Sequence, residues 1–251
     1  MNPIEIISID LSNHCSKGCP FCYNHSFPAG HAEWTPSEVI AFAKDCIVHG
    51  TQAISLGGGE PFEYEGIFEI IPALYPLCYL TVTTNGLPLL DNKILSKLKE
   101  IHPDKIHISI HNPDDKIEVD RVLKQLVELN DLGIKPGVNL LVSDTTVKDA
   151  TEAYTRLRTI LEKSQIILIP IRPNHTPTPS QLSQVANGEP FQSPSCLLKC
   201  APPQNFVSVS WDKKINPCSF APNKVALTSL DYNGLMDALH SIASTKWESC
   251  H

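Results

Sequence analysis

Apolar residues recur along this chain with two alternating periods. Short runs of β-branched and aliphatic residues at Ile6–Leu11, Ala53–Leu56, Tyr79–Thr84, Ile106–Ile110, Val138–Val142 and Ile166–Ile171 have the length and composition of buried strands. Between them, apolar positions return every three to four residues, the spacing of one helix face. The clearest helix opens at Thr35-Pro36-Ser37-Glu38 and stops at Gly50. Threonine and glutamate three apart make a capping box, and proline suits the first helical position because its missing N–H would have no partner there. Further helices are predicted at Asn92–Glu100, Lys116–Leu132 and Val147–Glu162.

Strands alternating with helices call for parallel pairing through right-handed crossovers. The predicted fold class is therefore α/β, a partial (β/α)6 TIM-like barrel over residues 1–173, with chemistry at the carboxyl ends of its strands by analogy with full barrels. After Arg172 the pattern changes. Prolines at 173, 177, 179, 190, 194, 202 and 203 predict a linker, leading to a small α+β extension within residues 174–251. That extension reads as strands Phe206–Ser210 and Lys214–Asn216, joined by Trp211-Asp212-Lys213, and a helix near Gly234–Ser244.

Composition narrows the function. At 251 residues, 42% hydrophobic and 19% charged, the chain has the make-up of a globular protein. A net charge of -7 argues against broad binding to nucleic acid or to an anionic membrane face. No secretory signal or membrane-spanning run is visible, which predicts a cytoplasmic protein. Nine cysteines would suggest disulfides in a small secreted domain, but here the number is odd and most cluster in two distant groups.

The first group is Cys15, Cys19 and Cys22, spaced Cys-x3-Cys-x2-Cys just after the first strand. Three soft thiolates in one loop suit an iron–sulfur cluster, or a zinc ion with His25 as fourth ligand. Gly57-Gly58-Gly59-Glu60-Pro61 ends the second strand, where glycine lets backbone approach a ligand and Glu60 offers a carboxylate to an amine. Thr83-Thr84-Asn85-Gly86 ends the third and reads equally well as a turn. Cys46 and Cys78 read as buried apolar residues, and Glu63 and Tyr64 as loop surface. His111, just past the fourth strand, is a candidate catalytic acid or base.

The cysteine loop after strand one, followed by Gly58-Gly59-Glu60-Pro61 after strand two, resembles the radical S-adenosylmethionine (radical SAM) enzymes. The resemblance implies that Cys15, Cys19 and Cys22 ligate a [4Fe–4S] cluster whose remaining iron chelates S-adenosylmethionine. It further implies that Gly58, Gly59, Glu60 and Pro61 hold the methionyl amine and that Phe21 packs near the adenine. Ser109, Asn139 and Arg172 would contact the ribose or methionyl portion. One electron would cleave the sulfonium, and the resulting 5′-deoxyadenosyl radical would abstract hydrogen from a substrate.

Cys196, Cys200, Cys218 and Cys250 resemble the SPASM/twitch appendages of the same superfamily, implying a second, auxiliary [4Fe–4S] cluster; zinc is the alternative. The pattern departs from the family where Lys213 stands in place of a usual hairpin glycine. Such appendages imply a ribosomally made precursor peptide as substrate, to be cross-linked, epimerised or spliced. The short N-terminus then implies a separate leader-peptide recognition protein, and the chemistry needs a reductase, flavodoxin or ferredoxin as electron donor. The alternatives are a radical enzyme acting on a small molecule, such as a nucleotide or amino acid derivative, and a non-catalytic zinc-binding module.

Overall fold

In the first unit, β1 (Ile6–Asp10) lies between β2 (Ala53–Gly57) and β7 (Phe206–Val209), parallel to both. The computed structural model describes residues 4–194, 204–221 and 223–243. They fall into two units, one of residues 4–83, 93–104, 204–221 and 223–243, the other of 84–92 and 105–194. β3 (Tyr79–Thr84) pairs parallel on the far side of β2, while β8 (Lys214–Asn216) and β9 (Val225–Ala226) continue antiparallel beyond β7. Ile7, Ile9, Leu56 and Val209 are fully buried, as short apolar runs in a parallel sheet require. Pairing with β7 occupies the edge of β1 that β2 leaves open, so its backbone groups are satisfied on both sides.

The expected capping box opens α1 (Pro36–Val48), with Thr35 and Glu38 exchanging bonds, and the helix buries Val39, Phe42, Ala43 and Cys46. Against it packs α2 (Ile67–Leu74), which the periodicity did not reveal. Its sequence is apolar nearly all round and carries Pro72, so neither a polar face nor good helix propensity marks it. The unit also holds α3 (Asn92–Glu100) and α7 (Tyr232–Ala243).

In the second unit, β4 (Lys105–Ile110), β5 (Lys135–Val142) and β6 (Ile166–Pro170) pair parallel in that order, linked by α4 (Lys116–Asp131) and α5 (Val147–Leu157). β5 begins three residues before its predicted start because Pro136 and Gly137, both poor strand formers, are accommodated in it. The proline-rich stretch is not wholly linker. Thr178 and Gln181 form a capping box, Pro179 takes the first turn, and α6 (Pro179–Val185) packs on α5 with Leu182 and Val185 buried. Among the described residues, no helix is long and apolar enough to cross a membrane.

Candidate active site

The cysteine loop is built by backbone hydrogen bonds before any ligand is considered. Leu11 donates to the carbonyl of Gly57 at 3.0 Å, and the chain then doubles back on itself. Asn13 donates to His31, Phe27 donates to Asn13, and Cys15 donates to Phe27, all at 3.0–3.1 Å. Asn24, 4% exposed, ties the inside of the loop with its amide nitrogen to the Ser12 carbonyl (3.0 Å) and Ser26 Oγ (2.9 Å). Cys22 donates to the Cys19 carbonyl at 3.2 Å, closing the turn that carries Phe21. Cys15 is buried, and Cys19 and Cys22 are half-buried.

Onto this loop docks the glycine segment. Gly59 donates to the Ser12 carbonyl (2.8 Å) and Glu60 to the His14 carbonyl (2.9 Å). A Cβ on Gly59 would sit 1.9 Å from the His14 carbonyl oxygen, and one on Gly58 would meet Ser12 O at 2.7 Å. Gly58 also needs φ +106, open to glycine alone at little cost. The sequence predicted close approach to a ligand; the surface these glycines approach in the structure is the cysteine loop. Glu60 is fully buried, and its Oε1 accepts the Phe62 N–H at 3.1 Å, capping a single 3-10 turn that starts at the buried Pro61.

Glu63 and Tyr64 correct the expectation of loop surface. The Glu63 carboxylate accepts the Ser16 backbone N–H (2.9 Å) and hydroxyl, and lies 3.4 Å from His14 Nε2. Tyr64 donates its hydroxyl to the Trp34 carbonyl at 2.9 Å. A polar residue four or five places beyond a glycine run carries no sequence signal of such reach, because its partners lie 30 to 49 residues away.

Asp10 is a second residue the sequence did not mark. It ends β1 at 2% exposure, and burial raises its pKa to about 6, an effect partly offset by the charge of Lys224 and by the Tyr23 hydroxyl. Tyr23 follows Cys22 directly, and its ring lies tilted by 59° against that of Phe220, with centroids 5.4 Å apart. Burial and the nearby Asp10 push the Tyr23 pKa well up.

In the second unit, register sets Ser109 of β4 beside Asn139 of β5. His111 follows β4, its Nδ1 3.5 Å from Oε1 of the buried Glu118, which also accepts the His111 backbone N–H at 2.9 Å. The Asn85-Gly86 turn is held by α4, since Arg121 donates to the Asn85 carbonyl and Gln125 to the Gly86 carbonyl. Arg172 is half-buried and lies two residues past β6.

Cys218 is half-buried in the loop after β8, whereas Cys196, Cys200 and Cys250 lie outside the described residues. Cys46 is fully buried, and desolvation pushes its thiol to about 12; that of Cys78 reaches about 11 for the same reason. Both are unreactive at neutral pH. Among the described residues, no three His, Cys, Asp or Glu side chains converge closely enough to hold a single metal ion. The residues of the first loop fit an iron–sulfur cluster by their donor chemistry: three thiols on one hydrogen-bonded loop, with a glycine segment docked against its backbone.

Fold and loop together define a class, an α/β protein with a three-thiol loop at the carboxyl end of its first parallel strand. The chain belongs to the Radical SAM superfamily, whose model matches residues 9–170. It is 33% identical over 111 residues to a probable GTP 3',8-cyclase of Methanocella arvoryzae, covering 44% of this chain and 36% of that protein. Against the GTP 3',8-cyclase of Aquifex aeolicus the figures are 26% over 175 residues, 62% and 54%. The chain thus spans between about a third and somewhat over half of these curated relatives.

Among solved structures, Streptococcus suis SuiB bound to the precursor peptide SuiA superposes with TM-score 0.69 at 16% identity, over 86% of this chain and 60% of that one. His-tagged anSMEcpe with bound AdoMet gives 0.67 at 15%, over 96% and 82%. These likenesses show the fold: a partial (β/α)6 barrel with a small C-terminal extension. Membership of this superfamily implies one [4Fe–4S] cluster and S-adenosylmethionine.

Proposed function

We propose that this enzyme acts by hydrogen abstraction on a ribosomally made precursor peptide. The observation that carries the radical chemistry is the docking of Gly59 and Glu60 on the Ser12 and His14 carbonyls, which makes the three thiols and the Gly-Gly-Glu segment one structural piece. When bound, the cluster and S-adenosylmethionine supply one-electron reductive cleavage of a sulfonium and, through it, removal of a substrate hydrogen atom. Cys15, Cys19 and Cys22 would hold that cluster. Gly58 and Gly59 would present backbone groups to the methionyl amine, with the buried Glu60 carboxylate bracing the turn that aims them. Ser109, Asn139 and Arg172 would bind polar groups of the same ligand, and Phe21 its adenine.

His111, oriented by Glu118, would exchange a proton with the substrate. Cys218, with Cys196, Cys200 and Cys250, would hold an auxiliary cluster. The peptide reading is supported by the reach of the structural likeness, which extends past residue 170 into the C-terminal strands and helix in enzymes crystallised with peptides. It carries with it a separate leader-recognition protein and a flavodoxin- or ferredoxin-type donor. A second reading, a nucleotide substrate, is favoured by the sequence relatives, which carry the name GTP 3',8-cyclase.

Anaerobic reconstitution with iron and sulfide, followed by S-adenosylmethionine and dithionite, tests both. Formation of 5′-deoxyadenosine, accelerated by precursor peptides encoded beside this protein and matched by their mass change, supports the proposal. Acceleration by GTP with consumption of the nucleotide would establish the second reading instead. Zinc uptake without cleavage would overturn both.

A further inference from the structure

The segment after β2 grips the cysteine loop at alternate residues, Ser12, His14 and Ser16. At the first two, backbone meets backbone: Gly59 donates to the Ser12 carbonyl at 2.8 Å and Glu60 to the His14 carbonyl at 2.9 Å. At the third the polarity reverses. The Ser16 backbone N–H donates to Glu63 Oε2 at 2.9 Å, and the Ser16 hydroxyl donates to Oε1. One carboxylate therefore takes both donors of the residue that follows Cys15, one on each oxygen. Ser16 is exposed, so this capture is made against water, and bonds to an ionised acceptor are about twice as strong as neutral ones.

The carboxylate is held from behind as well. The Glu63 N–H donates to the Glu60 carbonyl at 3.0 Å, closing the 3-10 turn Pro61–Glu63, and Glu60 Oε1 fixes that turn through the Phe62 N–H. The Glu63 side chain is only 19% exposed. His14 Nε2 lies 3.4 Å from Oε2, beyond the length of a good N–H···O bond, so the short bonds of the carboxylate go to Ser16.

Electrostatics gives this contact a consequence for the chemistry of the loop. Reducing an iron–sulfur cluster adds negative charge, so a donor aimed at its sulfurs favours the reduced state and a nearby carboxylate disfavours it. The N–H and O–H of the residue after a ligating cysteine are among the donors closest to its sulfur along the chain. At Ser16 both are already taken. Glu63 thus acts twice in one direction, adding negative charge beside Cys15 and withholding two donors from it.

We propose that Glu63 is a positioning residue that keeps the reduction potential of the first-loop cluster low by capturing Ser16. The inference rests on the reading above that Cys15, Cys19 and Cys22 hold a [4Fe–4S] cluster. Glu63 itself ligates no iron. A low potential is what one-electron cleavage of a sulfonium demands of its donor.

The test is an anaerobic redox titration of the reconstituted full chain, read by electron paramagnetic resonance on the signal that changes when S-adenosylmethionine is added. At the potential that half-reduces the parent cluster, Glu63→Ala should raise the reduced-to-oxidised ratio about tenfold, a one-electron shift of about 59 mV to the positive side. Glu63→Gln keeps an acceptor for Ser16 and loses the charge, so its ratio should rise by a smaller factor. Ser16→Ala leaves the backbone N–H on the carboxylate and should stay near the parent. Iron content should match the parent in all three. Parental ratios in both Glu63 variants at parental iron content, or a shift to the negative side, would overturn the inference alone. A parent that takes up no iron would overturn the cluster reading, and the inference with it. If the Glu63 variants take up no iron, the parent labelled with 15N-serine decides by electron–nuclear double resonance of its reduced cluster. A strong amide coupling that disappears in Ser16→Ala rejects the capture, and its absence supports it.

Discussion

Tyr23 donates its hydroxyl to Asp10 Oδ1 at 3.1 Å, tying the residue that follows Cys22 to the end of β1. The same hydroxyl lies 3.9 Å from where a Cβ on Gly57 would stand, so the phenol oxygen sits where the cysteine loop, the first strand and the glycine segment meet. The loop is thereby set by side-chain chemistry as well as by its backbone bonds.

Asp10 makes the stability of the protein depend on pH. Its folded pKa of about 6 lies above the ordinary 3.8, so the native state holds this proton more tightly than the unfolded chain does. The contribution is present below pH 3.8 and is lost as pH rises through 6, by on the order of 3 kcal/mol for a shift of this size. Asp10→Asn keeps an acceptor for Tyr23 and removes the charge. Thermal denaturation should show it more stable than the parent at pH 8 and equal to it near pH 4. Tyr23→Phe should lower stability at pH 8 by roughly 1.5–3 kcal/mol, since a buried carboxylate loses its donor.

Gly59→Ala should be among the most damaging single substitutions in the molecule. The new methyl would overlap the His14 carbonyl, a backbone atom that cannot swing aside. A loss of about 3 kcal/mol or more and poor iron incorporation are expected. Gly133→Ala is the control. Nothing lies within 4 Å of its Cβ, and only the left-handed φ of +78 resists, at about 1 kcal/mol. Iron content and melting temperature measured side by side separate the two.

Substituting cysteines one at a time should divide the iron. Cys15→Ala, Cys19→Ala or Cys22→Ala should abolish 5′-deoxyadenosine formation. Cys218→Ala should lower iron from about eight to about four per chain while leaving cleavage measurable. Cys46→Ala should change neither, because that thiol is sealed in the α1 core. Iron assay with chromatography of the cleavage product reads all of them.

Lys213 carries φ +56 in the turn between β7 and β8, and its Nζ bonds Glu38 Oε1 at 2.8 Å. The lysine therefore occupies a left-handed backbone state that glycine adopts more readily. Lys213→Ala loses the ion pair and keeps the strain, whereas Lys213→Gly loses both. Denaturant titration should find the alanine variant less stable than the glycine variant by about 1 kcal/mol.

Most of the elements were legible because local patterns mark them: the six βα strands, the capped α1, and the hairpin with its helix. What escaped was weakly marked or marked for something else. α2 lacks a polar face, α6 begins in a proline-rich run whose capping box at Thr178 and Gln181 was readable but outweighed, and Gly137 hides the start of β5. At the site, the three thiols and Gly58–Pro61 stand out because their spacing is dense and local. Asp10, Tyr23 and Glu63 do not, since each matters through a partner remote in the chain.

The sequence by itself determined the alternation of strand and helix, the three-thiol loop and the glycine segment, because these follow from side-chain periodicity and from ligand types a few residues apart. Only the tertiary structure decided that the glycines serve the docking of one loop on another, that β7 completes the open edge of β1, and that Glu60 faces inward as a cap. The reason is physical. Burial, close backbone approach and the direction of a hydrogen bond depend on which distant segments meet, and no local pattern carries that information.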